Sequence, residues 1–257
     1  MTATIARHPS ARPDGISAEE WQVRLDLAAC YRLVHMFGMD DLIYTHISAR
    51  VPGPDEHFLI NPFGLLYEEI TASNLIKVDI EGNILSDSEY GINPAGYVIH
   101  SCIHRERPSA GCVLHTHTVA GTGVSAQEEG LLPLSQTAML FTDNIAFHDY
   151  EGIALREEEQ ARLVADLGDK NVMILRNHGL LTVGETVQEA FLLMHYMETA
   201  CKMQIAAQAG GKLVVPSRDV QTYVRDAARG GFGAGMGQRE FEALIRRLDR
   251  QDTSWRD

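Results

Sequence analysis

The chain has 257 residues, 45% of them apolar and 22% charged, which suits an ordinary globular protein with length for one large domain or two small ones. Its formal charge of -13 argues against a nucleic-acid or anionic-membrane partner, both of which need clustered Lys and Arg, but it leaves room for an anionic small substrate at a metal ion. No apolar run approaches the ~18 residues of a membrane span and "MTATIARHPSARPDG" is no signal segment, so the cytoplasm is the expected compartment.

Residues 1–16 read as a disordered arm. Ser17 and Glu20 form a capping-box pattern that predicts a helix through "AEEWQVRLDLAACYRLVHMFG", ending at Gly38. "HISARV" and "HFLIN" predict short strands on either side of the Pro52-Gly53-Pro54 turn. "LIKVDIEGNIL" predicts a strand, a bend at Glu81-Gly82-Asn83 and a second strand. A helix is expected from Pro94 to just before Pro108, since proline costs nothing in a first turn.

A strand over 111–117 follows, then a charged helix, "REEEQARLVADLG". "NVMILRNHGLLTVG" predicts two strands hinged at Asn177-His178-Gly179, with Gly179 expected to take the unusual backbone angle. The longest helix is expected from Thr186 to Ala209, and "GGFGAGMGQREFEALIRRLDRQ" reads as a glycine-rich loop and an amphipathic helix. Its glycines never match G-x-G-x-x-G, and no strand precedes them. Cys30, Cys102, Cys112 and Cys201 show no C-x-x-C spacing and read as reduced thiols. Strands and helices interleave without long linkers, which predicts one α/β domain over 17–215 and a C-terminal extension over 216–257.

The chemistry concentrates in histidines. "CVLHTHTVAG" sets His115 and His117 on one face at a strand end, because side chains at i and i+2 point the same way. His178 sits in the tight turn of "RNHGLL". Two strand histidines and one turn histidine meet the three-ligand count of a catalytic zinc site with an open position; hydrogen-bonded histidines at strand ends are the bland alternative. His100 and His104, four apart on a predicted helix, could imitate a metal pair, but a mostly apolar setting for His100 and the exposed "RER" beside His104 favour a structural reading. His35 and His195 lie within long helices and read as core-edge or interface residues.

Together "HTH" and "NHG", 61 residues apart, resemble the class II aldolase and adducin-head family from about Trp21 to Gly210. That family includes fuculose-phosphate aldolase and ribulose-phosphate epimerase, in which these motifs bind one catalytic zinc. The resemblance implies a three-layer α/β/α domain around a mixed, largely antiparallel sheet. It also implies a homotetramer with sites at subunit boundaries, and His115, His117 and His178 as ligands of one divalent ion, zinc before manganese or iron.

The departures from the sugar-phosphate aldolases are informative. Their acid/base carboxylate lies about nineteen positions before the first metal histidine, where this chain has Gly96. Their phosphate-binding asparagine and serines correspond to His46, Phe63, Pro94 and Ala95 here, and a phosphate needs several convergent donors or a cation. A sugar phosphate is therefore not the expected substrate. "NPFGLLYEEITASNLIKVD", "NPAGYVIHSCIHRERPSAGCVLHTH" and "FHDYEGI" look adducin-like instead, although the chain ends at "DTSWRD" without adducin's basic tail.

Other relatives are decarboxylases of hydroxypyridine dicarboxylates and non-haem iron oxygenases. The resemblance thus implies a metal-dependent lyase, an aldolase or decarboxylase, for a small non-phosphorylated oxygenated carboxylate or aldehyde. The alternatives are an Fe(II) oxygenase on the same triad and an adducin-like interaction module. His46 and His148 are the candidate proton-handling residues, and Asn61, Gly64 and Asn93 the candidate substrate contacts.

Overall fold

The computed structural model of the protein describes residues 12–232 and 235–257, so residues 1–11 of the expected arm and residues 233–234 of the expected glycine-rich loop lie outside the described residues. The Ser17 hydroxyl accepts the Glu20 N–H at 3.0 Å and starts α1 (Ala18–Met36), a cap that stabilises a helix by about 1 kcal/mol. Strands β1 (His46–Arg50), β2 (His57–Ile60) and β3 (Ile76–Asp79) follow, and then α2 (Pro94–Glu106). Asn93 caps α2 by accepting the Ala95 N–H, and Pro94 occupies its first turn.

Next come β4 (Cys112–Thr116), short helices α3 (Val119–Ser125) and α4 (Gln136–Met139), β5 (Ile145–His148) and α5 (Glu157–Leu167). The antiparallel pair β6 (Val172–Leu175) and β7 (Gly179–Gly184) precedes α6 (Val187–Gln208), and α7 (Arg218–Phe232) and α8 (Gln238–Leu248) complete the chain.

The seven strands form one mixed sheet in the order β3-β2-β1-β4-β7-β6-β5, antiparallel throughout except where β5 runs parallel to β6. Period-2 alternation sorts its faces. Ile47, Ala49, Cys112, Leu114, Val172, Ile174 and Leu180 pack with α1, α6 and α8. Val113, Met173, Leu175, Leu181 and Val183 pack with α2 and α5. Helices thus cover both faces, and the fold is α/β as expected. The alternation also sends His46, Ser48 and His115 to the α2 face, because they are out of phase with Ile47, Ala49 and Leu114.

Several elements differ from the sequence expectation. The second strand of "LIKVDIEGNIL" reduces to a single bridge, Val78 to Ile84. β5 and α7 were not expected, and α7 continues into the first glycines of the expected loop. At the Asn177-His178-Gly179 hinge it is Asn177 that takes the left-handed angle, φ 55°. Gly179 is needed for space instead, since a Cβ there would lie 2.2 Å from the Thr116 carbonyl oxygen. All four cysteines are free and buried. No helix among the described residues is long and apolar enough to cross a membrane.

Candidate metal centre

Three polar strand ends meet at the α2 side of the sheet. β1 and β4 pair in the register His46 to His115, and β4 pairs with β7 so that His115 opposes Leu181. The tight β6–β7 turn then brings His178 over the end of β4, and the three sequence-predicted ligands converge. The Nε2 atoms of His115 and His117 lie 2.8 Å apart, and those of His117 and His178 lie 2.9 Å apart.

The hydrogen-bond partners fix what those nitrogens present. His115 Nδ1 is 2.9 Å from the Leu180 carbonyl, which can only accept, so Nδ1 carries the proton and Nε2 a lone pair. His117 Nδ1 donates in the same way to Asp41 Oδ2 at 2.9 Å, which turns its Nε2 toward His115 and His178 and, in the neutral ring that a metal ligand must be, leaves a lone pair there. Two such lone pairs cannot hydrogen-bond to each other, and a cation that both nitrogens bind from the open side would remove the conflict. A carbonyl or carboxylate on the far nitrogen of a metal-binding imidazole is also the usual way to orient the ring and raise its basicity.

Burial first, and then the other histidines, holds His115 well below the ordinary imidazole range and lowers His178 to about 4, so both are neutral donors at pH 7. Three converging imidazoles with an open side match a zinc-type site, and manganese or iron can also take this donor set.

The triad borders a cavity of about 410 Å³ whose walls include Tyr44, Phe63, Asn93, Ile99, Tyr150 and Leu155. His46 lies in the same wall, 3% exposed, its ring centroid 5.3 Å from that of His115. Burial, and then His117 and His178, lowers its pKa to about 3. Gly96, where the family carboxylate is missing, faces this ring, and a Cβ at 96 would meet His46 Cδ2 at 2.6 Å. An imidazole at 46 and a side chain at 96 compete for one space.

The other candidates are placed differently. Asn93 lines the cavity. Asn61 is buried outside the lining, its side-chain oxygen accepting from the Tyr31 hydroxyl at 2.8 Å. Gly64 lies outside the lining, at φ 119° beside Tyr90. His148 is also outside it, its Nδ1 2.7 Å from Asp166 Oδ2 and its Nε2 3.5 Å from Glu159 Oε1, so it faces α5.

His100 and His104, read from sequence as structural, are both buried, and His104 is not at the exposed surface that "RER" suggested. They form a chain with His46 and Ser48 rather than a metal pair. Sequence reasoning missed Asp41 altogether. It lies 76 positions from His117 in a plain "DD" pair, and only the folded chain shows the contact.

Comparison with known proteins agrees with this geometry. The family model for the class II aldolase and adducin N-terminal domain matches residues 25–205. The solved structure of an aldolase II superfamily protein from Pseudomonas syringae is 57% identical, with a TM-score of 0.91 over 95% of this chain and 98% of that one. An L-fuculose 1-phosphate aldolase from Glaciozyma antarctica is 26% identical, with a TM-score of 0.81 over 96% and 97% of the two chains. Mouse alpha-adducin is 46% identical over 88% of this chain, which spans only 33% of that protein's length. The chain therefore belongs to the class II aldolase and adducin N-terminal domain family.

Proposed function

We propose that the protein is a metal-dependent carbon–carbon lyase, an aldolase or decarboxylase, acting on a small non-phosphorylated oxygenated carboxylate or aldehyde. The observation that carries this reading is the convergence of the Nε2 atoms of His115, His117 and His178, with Leu180 and Asp41 holding the first two rings from their far sides. His115, His117 and His178 would hold one divalent ion, zinc by preference, which when bound stabilises negative charge developing on a substrate oxygen.

The remaining roles belong to this chain's own side chains. His46 is placed to take and return a proton beside the triad, in the space that a residue at 96 would otherwise fill. His148, turned toward Asp166, is the weaker candidate. Asn93 borders the substrate space, while Asn61 and Gly64, outside the lining, would act on the substrate only indirectly. Tyr44, Phe63, Ile153 and Leu155 give one side of the cavity an apolar lining.

Among the described residues lining it there is no Lys or Arg, which supports a ligand without a phosphate. Tyr44, Tyr150, Ile153 and Leu155 are also exposed along the cavity mouth, which supports the homotetramer that the family resemblance implies, with a second copy covering that edge. A cytoplasmic location fits the reduced, buried cysteines.

The test is metal content by mass spectrometry on protein prepared without chelator, followed by assays for aldehyde or carbon dioxide release. About one zinc or manganese per chain with turnover supports the lyase. Iron with oxygen consumption makes it an oxygenase. No metal uptake and no turnover leaves the adducin-like interaction module, a reading favoured by the likeness to alpha-adducin.

A further inference from the structure

We propose that Ser48, His100 and His104 are positioning residues that hold His46 as its Nδ1–H tautomer, so that the cavity meets an Nε2 lone pair and favours ligands that donate a hydrogen bond to it. The geometry behind this is a buried chain of four side chains. Strand residues two apart are separated by about 6.8 Å, and helix residues four apart by about 6 Å, so β1 and α2 can mesh side chain for side chain. His46 and Ser48 project from β1, His100 and His104 from α2, and they alternate: His46 Nδ1 to His100 Nε2 at 2.8 Å, His100 Nδ1 to Ser48 Oγ at 2.6 Å, Ser48 Oγ to His104 Nε2 at 2.7 Å. His104 Nδ1 ends the chain on the Ala110 carbonyl oxygen at 3.1 Å.

That last contact sets the direction of every other one. A carbonyl oxygen only accepts, so His104 Nδ1 carries a proton and its Nε2 does not. Ser48 then donates its single hydrogen to His104 Nε2 and accepts from His100 Nδ1–H. His100 Nε2 is therefore a lone pair, and it accepts from His46 Nδ1–H. His46 Nε2 is left without a proton and, among the described residues, without a protein partner.

Reversing the chain would set His104 Nδ1 and the Ala110 oxygen lone pair to lone pair. A charge resting on any member of the chain would also break the order, and the surroundings oppose one. Ser48 and the three rings are at most 3% exposed, Phe58 stacks on His104 with centroids 5.0 Å apart, and the Arg50 guanidinium binds the His104 carbonyl. Burial holds His100 well below the ordinary imidazole range and lowers His104 to about 3.

The consequence is a selectivity rule for the cavity. A hydroxy acid, hydroxyaldehyde or enol that reaches the triad through one oxygen can donate a second O–H to His46, and an oxo or fully ionised analogue cannot. This last step rests on the triad holding the ion; the tautomer itself does not.

The experiment is multiple-bond proton–nitrogen correlation on protein labelled with [15N]histidine, zinc-loaded and again after chelation, with signals assigned by single histidine substitutions. In the native protein His46, His100 and His104 are each expected as one tautomer, pyrrole-like at Nδ1 and pyridine-like at Nε2. Ser48→Ala removes the hydroxyl that orders the chain, and is expected to turn the single tautomer of His46 and His100 into a mixture while the triad signals stay put.

A proton on His46 Nε2 in the native protein, or unchanged His46 and His100 tautomers in Ser48→Ala, overturns the proposal. The native spectrum decides alone if that variant does not fold. Ordered tautomers with no zinc response at the triad would keep this inference and remove the metal reading, and the opposite pair of results would do the reverse.

Discussion

Two clusters of three histidines meet at the cavity, the first through His46 alone, and they behave oppositely. In the first, His46, His100 and His104, every nitrogen from the Ala110 carbonyl to the cavity edge is matched, donor to acceptor, with Ser48 interposed. In the second, His115 and His117 each direct Nδ1 to an acceptor, Leu180 or Asp41, and turn their Nε2 atoms on each other. Residue type is the same, and His115 is as buried as His104. The difference lies in the far nitrogen. An acceptor behind each of His115 and His117 suits a cation site, whereas one acceptor for the whole chain, with a hydroxyl to relay it, suits an ordered line of neutral rings.

The comparison breaks most completely if the second cluster loses its donors. A His115→Ala/His117→Ala protein leaves a single imidazole and is expected to retain no metal, against about one equivalent in the native chain, as read by mass spectrometry. Substituting the acceptor is a finer cut. Asp41→Asn keeps the shape but can turn an amide donor toward His117 Nδ1. Such partners are typically worth 10- to 100-fold in metal affinity, and an Asp41 side chain 43% exposed points to about 10-fold, checked by competition with a chromogenic chelator.

Gly96→Ala sharpens the first cluster. A methyl group there would stand 2.6 Å from the His46 ring, and overpacking of that kind costs about 1–3 kcal/mol. Replacing glycine in a helix returns at most about 1 kcal/mol, so a net loss is expected in denaturant unfolding. A net gain would show that the His46 ring yields freely and is not held by His100.

Much of this was legible in the sequence, and the limits have physical causes. The β4 motif and the "NHG" turn located all three converging histidines, because strand periodicity and a tight turn are local properties. Most of α1, α2, α5 and α6 followed from caps, proline and apolar periodicity. β5 was missed because Ile145–His148 is only four residues long, too short for its alternation to register, and only pairing with β6 makes it a strand.

The His100–Ser48–His104 chain was missed for a related reason. Spacing put the two histidines on one helix face, but nothing in either segment says that β1 lies opposite with its polar residues in phase. Asp41 and Gly96 are the extreme cases, since each matters through a ring distant in sequence, His117 for one and His46 for the other.

The smallest expected effect is also the cleanest test of neutrality in the first cluster. An exposed imidazole in the unfolded chain takes a proton below about pH 6.5, whereas burial, and then Arg50, keeps folded His104 neutral down to about pH 3. Between those values the unfolded state binds more protons, so stability from this group is complete above about pH 6.5 and is lost as pH falls toward 3.

One such group contributes a slope of at most about 1.4 kcal/mol per pH unit. His104→Asn can keep a donor toward the Ala110 carbonyl but cannot titrate, so unfolding free energies measured between about pH 4 and pH 6 should lose up to that slope. The smaller side chain also leaves a void, which lowers stability at every pH and shifts the whole line without tilting it. An unchanged slope with a lowered line would mean that His104 accepts a proton in the folded protein, and the direction of the chain from Ala110 to His46 would have to be abandoned.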